Sequence, residues 1–312
     1  MAAALVGPDG SVLNVLDLSP LEGVPFTKMT GSGNDFVIFD ARTSPTDLVT
    51  RPEVIASICN RNNGIGADGV VILEPPPPGD STDPIRLRYF NRDGSLGELC
   101  GNATLCSTAL SVQLGLAAPT AVRLNTDAGL VTARRELAHP EIDVAPVREV
   151  RDDLRGSLGA VAAEAIRSGF ALVGVPHVVL LLPDRAALDA VAVAVDGPPI
   201  RQHASLAPAG ANVNWVAPDG RGGWAYRTFE RGVEGETLAC GTGAIACAIL
   251  LTRWGLAPGM ATLETRSGRP VHVRLAPADG APADLTGAVR PSLSGEGRVV
   301  FVGQIGRLVL DR

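Results

Sequence analysis

Lysine is almost missing from this chain: Lys28 is the single lysine among 27 basic residues. Pyridoxal-phosphate chemistry needs a Schiff-base lysine, so that whole class of reactions would hang on one residue. Aromatic residues are scarce too, at 4% with two tyrosines and three tryptophans, and acids and bases are interspersed around a net charge of −6. A nucleic-acid partner calls for a basic stripe interleaved with stacking rings, and neither is here. The longest apolar run, Phe170 to Leu182, is interrupted by Gly174, Pro176 and His177 and is too short to cross a bilayer. The opening Met1–Val6 meets Gly7-Pro8-Asp9 without a charged n-region or a cleavage site. A soluble, cytoplasmic protein with no membrane partner is the expectation.

The four histidines are scattered, and the spacings Cys100-x5-Cys106 and Cys240-x6-Cys247 are not those of zinc knuckles, so no metal is expected. Five cysteines in 312 residues do not make a disulfide scaffold, and cytosolic thiols stay reduced.

What the chain does have is a copy of itself. Leu99-Cys100-Gly101-Asn102 returns as Ala239-Cys240-Gly241-Thr242, Gly115-Leu116-Ala117 as Gly255-Leu256-Ala257, and Thr126 with Gly129 as Thr265 with Gly268. In both copies the cysteine precedes a helical run, with Leu105, Ala109 and Val112 in one and Ile245, Ile249 and Leu250 in the other. Each run ends at a glycine suited to a left-handed cap, Gly115 or Gly255. A hairpin follows each cap, turning at Asp127-Ala128-Gly129 and at Ser267-Gly268. Each half therefore sets one thiol at a helix N-terminus, where unpaired N–H groups and the helix dipole favour a thiolate or a bound carboxylate. A free thiol titrates near 8.5, and the dipole alone, at roughly 0.3–1 kcal/mol, falls short of one pKa unit. Neighbouring polar side chains must supply the rest.

The remaining chain reads in order. Residues 1–23 are an extension carrying no chemistry. Phe26–Met29, the turn Gly31-Ser32-Gly33-Asn34 and Phe36–Phe39 give strand, glycine turn, strand, and Thr46–Cys59 reads as one helix. Val70–Leu73 and Ile85–Phe90 are strands separated by a stiff proline loop at Pro75–Pro78 with Gly79-Asp80. The boundary between halves falls between Arg134 and Asp152, Phe170–Leu182 continues as strands, and residues 197–211 read as a loop. Val299–Leu310 closes the chain as a strand or a pair. The expected architecture is α/β of the α+β type: an extension (1–24), a first domain (25–137, completed by 300–312) and a similar second domain (138–299), with the site in the cleft between them.

Two thiols facing each other across such a cleft suit one reaction. A thiolate takes the proton from one face of a carbon next to a carboxylate, and the opposite thiol returns a proton to the other face. The amides of Gly101, Asn102, Gly241 and Thr242 are the candidates for holding that carboxylate.

Phe26-Thr27-Lys28-Met29 with Gly33-Asn34-Asp35-Phe36, Phe90-Asn91-x-Asp93-Gly94-Ser95, Cys100-Gly101-Asn102, Pro176-His177, Asn212-Val213 and Glu230-Arg231-Gly232 through Glu236–Gly243 together resemble the diaminopimelate epimerase family. The resemblance implies a cofactor-independent enzyme of two similar domains, usually a homodimer, interconverting LL- and meso-diaminopimelate in lysine and peptidoglycan synthesis. It implies Cys100 and Cys240 as the acid/base pair and Asn34, Asn91, Asn212, Glu230 and Arg231 as substrate contacts. Gly101-Asn102 and Gly241-Thr242 would hold the reacting carboxylate, and His177 and Glu230 would tune the thiols. The chain departs from the family pattern at Val175, where asparagine is usual, at Asn102–Cys106, where Gly-Asn-Gly and an arginine are usual, and at Gly69, where a glutamine sometimes stands. A sibling reading is an epimerase of another amino acid, histidine or hydroxyproline. Readings from other classes are a thiol redox protein and a non-catalytic amino-acid binding module.

Overall fold

The structure is a computed structural model that describes residues 5–6, 12–13, 16–76, 83–97, 99–281 and 284–310. Glu98, Pro77–Asp80 of the proline loop, most of the first fifteen residues and residues 311–312 lie outside these, and the expected strand Val299–Leu310 is a strand only as far as Gln304.

The first half contributes β1 (Pro25–Gly31), β2 (Asn34–Asp40), β3 (Gly69–Glu74), β4 (Ile85–Asn91), helix α1 (Gly101–Gln113), β5 (Val122–Thr126), β6 (Gly129–Arg134) and β7 (Glu141–Asp143). Then come β8 (Val150–Arg151), β9 (Arg167–Val173), β10 (Val175–Leu181), β11 (Asn212–Pro218), β12 (Trp224–Glu230), helix α2 (Gly241–Arg253), β13 (Met260–Glu264), β14 (Pro270–Pro277), β15 (Val289–Ser294) and β16 (Arg298–Gln304).

The pairing pattern repeats at an interval of eight strands. β1–β2 is antiparallel, β2–β3 parallel, β3–β4 antiparallel, β4–β5 parallel and β5–β6 antiparallel. The series from β9 to β14 has the same five senses in the same order. β7 and β15 pair antiparallel with each other and form the seam, Ile142 opposite Leu293. From that seam the chain crosses over: β8, following β7, pairs with β9, and β16, following β15, returns to pair with β1. The last strand thus belongs to the first half's sheet.

Helix α1 packs on β1, β2, β3, β5, β7 and β16, and α2 on β9, β10, β11, β13, β14 and β15. Such enclosure explains a departure from the amphipathic pattern. Every residue from Asn102 to Ser111 is buried, hydroxyls included, and Ser107 and Thr108 each donate to the carbonyl four residues back at 2.8 Å. Both helices end in the same cap: Gly115 (φ +69°) donates to Val112 O and Leu116 to Ser111 O, while Gly255 (φ +74°) donates to Thr252 O and Leu256 to Leu251 O.

The outer faces of the sheet are covered by short helices, so β3 over Val70–Leu73 and β10 over Val178–Leu181 are buried on both sides and read as short apolar runs. Two expectations change here. Thr46–Cys59 is two helices, Thr46–Val49 and Pro52–Cys59, because Pro52 lacks an N–H and holds Arg51 extended (φ −68°, ψ 134°). Residues 197–201, expected as loop, close the helix Val193–Arg201, which tolerates Pro198 and Pro199 because Val193, Gly197 and Ile200 are buried. A Cβ on Gly197 would come within 2.5 Å of the Phe229 ring, so the helix lies flush on β12.

Candidate active site

Cys100 and Cys240 cap the two helices with matching extended backbone, φ −127° and ψ 114° in one, φ −127° and ψ 105° in the other. Their carbonyls take the first helical bonds, from Thr104 N–H and Ala244 N–H, both at 2.9 Å. The amides in between have no helical partner and point out of the helix start. Both starts meet at Leu293 on the seam. A Cβ on Gly101 would stand 3.6 Å from Leu293 Cδ2, and one on Gly241 only 2.8 Å from the same atom.

Burial pushes the Cys100 thiol up to about 11 and the Cys240 thiol up to about 12. Hydrogen bonds act against burial. The N–H groups of Ala103 and Asn102 serve Cys100, while the Thr242 hydroxyl, 3.5 Å from Cys240 Sγ, and the Gly243 N–H serve Cys240. The Glu230 carboxylate raises both thiols, and the charge of Cys100 is felt at Cys240. Glu230 is itself raised by burial, with the Thr237 hydroxyl partly offsetting it.

Register shows where the halves stop being copies. In the first, Phe36 pairs with Gly69 and Gly69 with Asn91. In the second, His177 pairs with Asn212, and one step beyond the Val213–Phe229 pair Asn212 meets Glu230. Phe36, Gly69 and Asn91 therefore correspond to His177, Asn212 and Glu230, and by the same registers Asn34 corresponds to Val175. Three of these four pairs set a polar side chain against one that is not, and Asn91 with Glu230 is polar in both halves.

Asn34 Nδ2 donates to Asp68 Oδ2 at 2.9 Å and its Oδ1 accepts from Asn102 Nδ2 at 2.7 Å, which ties the glycine turn to the start of α1. Asn91 Nδ2 donates to Ser95 Oγ at 3.0 Å. Asn212 Oδ1 accepts from the Arg231 N–H at 2.7 Å, and the Arg231 guanidinium donates to Ala209 O at 3.2 Å. His177 is fully buried, with Nε2 3.4 Å from Asn212 Nδ2 and Nδ1 3.2 Å from Asn214 Nδ2. Burial, then the Arg231 charge, lower it to about 3, so it is a neutral imidazole and orders the two amides. Cys59, Cys106 and Cys247 are buried in the cores.

Three site residues escaped the sequence reading. The two tyrosines stand one at each cysteine: Tyr89 is raised by burial and by the charge of Cys100 beside it, and Tyr226 bonds the Cys240 backbone. Asn214 Oδ1 would lie 2.3 Å from a Cβ on Gly243, directly beneath the second helix start. The signal for the tyrosines was in plain view, since both lie on the strands that lead to the cysteines. Among the described residues, no cluster of three metal-binding side chains occurs, and no helix is long and apolar enough to cross a membrane.

A family model described as diaminopimelate epimerase matches residues 26–144 and 169–279. A diaminopimelate epimerase of Gemmatimonas aurantiaca is 53% identical over 284 residues, 91% of this chain and 99% of that protein. Among solved structures, a Bacillus anthracis phenazine biosynthesis protein of the PhzF family superposes with TM-score 0.66 at 15% identity, covering 91% of this chain and 99% of that one. A hydroxyproline epimerase of Agrobacterium vitis, solved with trans-4-hydroxy-L-proline bound, does so with TM-score 0.59 at 19% identity, covering 92% and 93%. At such identities these two speak for the fold alone.

Fold and relatives together define an isomerase of the racemase and epimerase class. More narrowly, the chain belongs to the diaminopimelate epimerase family.

Proposed function

We propose that this enzyme inverts one stereocentre of diaminopimelate, interconverting the LL and meso isomers for lysine and peptidoglycan synthesis, with Cys100 and Cys240 as the two proton carriers. The observation that carries the reading is that both thiols cap helices whose first residues pack on one leucine, so the sulfurs approach a common space from two halves. In the substrate-free enzyme burial keeps both thiols protonated. Binding brings an α-ammonium whose positive charge favours one thiolate. That thiolate takes the α-proton, the carboxylate gains enediolate character held by the amides of Gly101, Asn102, Gly241 and Thr242, and the opposite thiol protonates the far face. Positioned proton transfer supplies roughly 10²–10⁴-fold, and fixed amide dipoles the larger share. The Glu230 carboxylate opposes the thiolates while unpaired, so its part is to receive the substrate ammonium. Asn34, Asn91, Asn212 and Arg231 are the further substrate contacts.

Residues 25–137 with the final strand and residues 138–299 act as two lobes around the site. The protein works in the cytoplasm, where thiols stay reduced, and as a homodimer. Support for the dimer comes from β16, whose ladder partner among the described residues is β1 alone and which exposes Val300, Phe301 and Val302 at 49%, 45% and 72%. One observation favours a different amino acid: Val175 is apolar at the place where the other half has Asn34.

Proton NMR in deuterated water tests the reading. Exchange at the α-carbon of LL- and meso-diaminopimelate, lost in Cys100→Ala and in Cys240→Ala, is the expected result. Exchange of histidine or hydroxyproline with none of diaminopimelate would overturn it in favour of the sibling activity.

A further inference from the structure

The single lysine is buried, at 6% exposure, and ion-paired to Asp35 at 2.8 Å, with its ammonium also donating to the Gly66 carbonyl. Arg61 grips the same carboxylate with both terminal nitrogens, at 3.0 and 2.8 Å, and extends one of them to Asp68 Oδ1 at 2.7 Å. The Asp68 N–H returns a bond to Asp35 Oδ1 at 3.1 Å. From Asp68 the contacts run on through Asn34 to Asn102, and the Asn102 N–H serves the Cys100 sulfur. An unbroken polar chain thus joins Lys28 to one of the two thiols.

Among the described residues, nothing like it stands behind the other thiol. The register places Phe170 opposite the role of Lys28, Pro176 opposite Asp35 and Val175 opposite Asn34. Cys240 is backed by neutral groups, His177, Asn214 and Thr228, the last donating to Asn214 Oδ1 at 2.9 Å.

We propose that the Lys28–Asp35–Arg61–Asp68 cluster is a positioning network for Cys100 alone, in which Arg61 cancels the Asp68 charge while Asp68 orients Asn34 and, through it, the start of α1. This rests on the reading of Cys100 as a proton carrier. The cluster carries two positive and two negative groups, and its cancellation matters because Asp68 is one of the two carboxylates that raise Cys100. The other charged or titratable groups facing Cys100 are Glu230 on β12, Tyr89 on β4, Cys240 at the start of α2 and Cys106 on α1 itself. None of these belongs to the cluster.

The test uses the full chain and diaminopimelate, reading kcat/KM against pH. In Arg61→Gln the uncancelled Asp68 charge raises the Cys100 thiol. The acidic limb of the profile therefore moves to higher pH, and kcat/KM falls by up to about tenfold at neutral pH, the equivalent of one pKa unit, and recovers in alkali. The Arg61 side chain is 59% exposed, so the variant folds. Asp68→Asn, which can still accept from Asn34, moves the limb the opposite way, and the double variant Arg61→Gln with Asp68→Asn returns it towards the parent. A loss in Arg61→Gln of the same factor at every pH, or a double variant that stays shifted, would overturn the proposal. Turnover surviving in Cys100→Ala would instead overturn the reading of the site, so the two failures are told apart.

Discussion

The Tyr226 hydroxyl donates to the Cys240 carbonyl at 2.9 Å and accepts from the Cys240 N–H at 3.1 Å, holding both backbone groups of one residue from a fully buried position. It thereby fixes the extended conformation that aims the thiol. Replacing it by phenylalanine leaves the Cys240 N–H without its partner, at about 1–3 kcal/mol at most, while the carbonyl keeps its bond from the Ala244 N–H. Tyr226→Phe should therefore lower the urea midpoint measurably and cut kcat at least tenfold, with KM changing less. An unchanged kcat would show that the N-cap holds itself.

Tyr89 has a different task in the other half. Its ring is clamped, since a Cβ on Gly97 would come within 2.5 Å of it and one on Gly69 within 2.6 Å, and it meets Phe36 edge-on at 6.1 Å. Its phenol lies beside Cys100, whose charge raises it. Tyr89→Phe keeps the ring and removes the one neutral O–H dipole it offers to a thiolate there, so the Cys100 thiol rises. Its kcat/KM profile should shift to higher pH on the acidic side, while chemical denaturation changes by less than about 1 kcal/mol. A profile superimposable on the parent would remove Tyr89 from the site.

These tyrosines mark how far the residues could be read without coordinates. Local signals were legible. The spacing of Cys100 and Cys240 from Gly115 and Gly255 gave both helices and both caps, because a left-handed cap and an N-cap each depend on a few consecutive residues. Long-range register was not. That Asn34 answers to Val175, or that it reaches Asp68 on one side and Asn102 on the other, depends on contacts between segments far apart. The helix over Val193–Arg201 was hidden for a related reason: its prolines speak locally against it, and its burial on Phe229 speaks for it from a distance.

Gly243 offers a steric test. A methyl group there would meet Asn214 Oδ1 at 2.3 Å and the Cys240 sulfur at 3.3 Å. Asn214 cannot retreat freely, since its Nδ2 is held by Val178 O at 2.9 Å. Gly243→Ala should therefore push the start of α2 away from His177 and lower kcat/KM at least a hundredfold. A crystal structure of the variant with Cys240 undisplaced, together with full activity, would contradict this.

His177 makes stability depend on acid. Its folded value is about 3, against about 6.5 for an exposed histidine. As pH falls through that window the unfolded chain gains a proton that the folded chain refuses, so stability is lost from about pH 6.5 downwards. At roughly 1.36 kcal/mol per unit, the loss attributable to this one residue reaches about 5 kcal/mol at its fullest. His177→Gln, which can still pair with Asn212 and Asn214, should flatten that slope relative to the parent. Equal slopes in urea titrations at several pH values would mean that the imidazole accepts a proton in the fold.

The glycine turn between β1 and β2 reaches across to the other half. Ser267, in the β13–β14 hairpin, donates its hydroxyl to the Ser32 carbonyl at 2.8 Å, and a Cβ on Gly33 would stand 2.7 Å from the Ser267 Cβ. The corresponding glycine of the second half, Gly174, has open space around it, so this bridge exists on one side of the pseudo-axis only. Gly33 also has φ +107°, where a side chain is strained whatever its neighbours. Gly33→Ala therefore carries two penalties, and Ser267→Ala removes the hydroxyl while leaving the backbone alone. If the bridge sets how the halves meet around the substrate, Ser267→Ala should raise KM several-fold with little change in melting temperature, and Gly33→Ala should lose both affinity and about 1–3 kcal/mol of stability. Steady-state kinetics beside calorimetry separates the two, and a Ser267→Ala enzyme with parental KM would make the contact a packing detail.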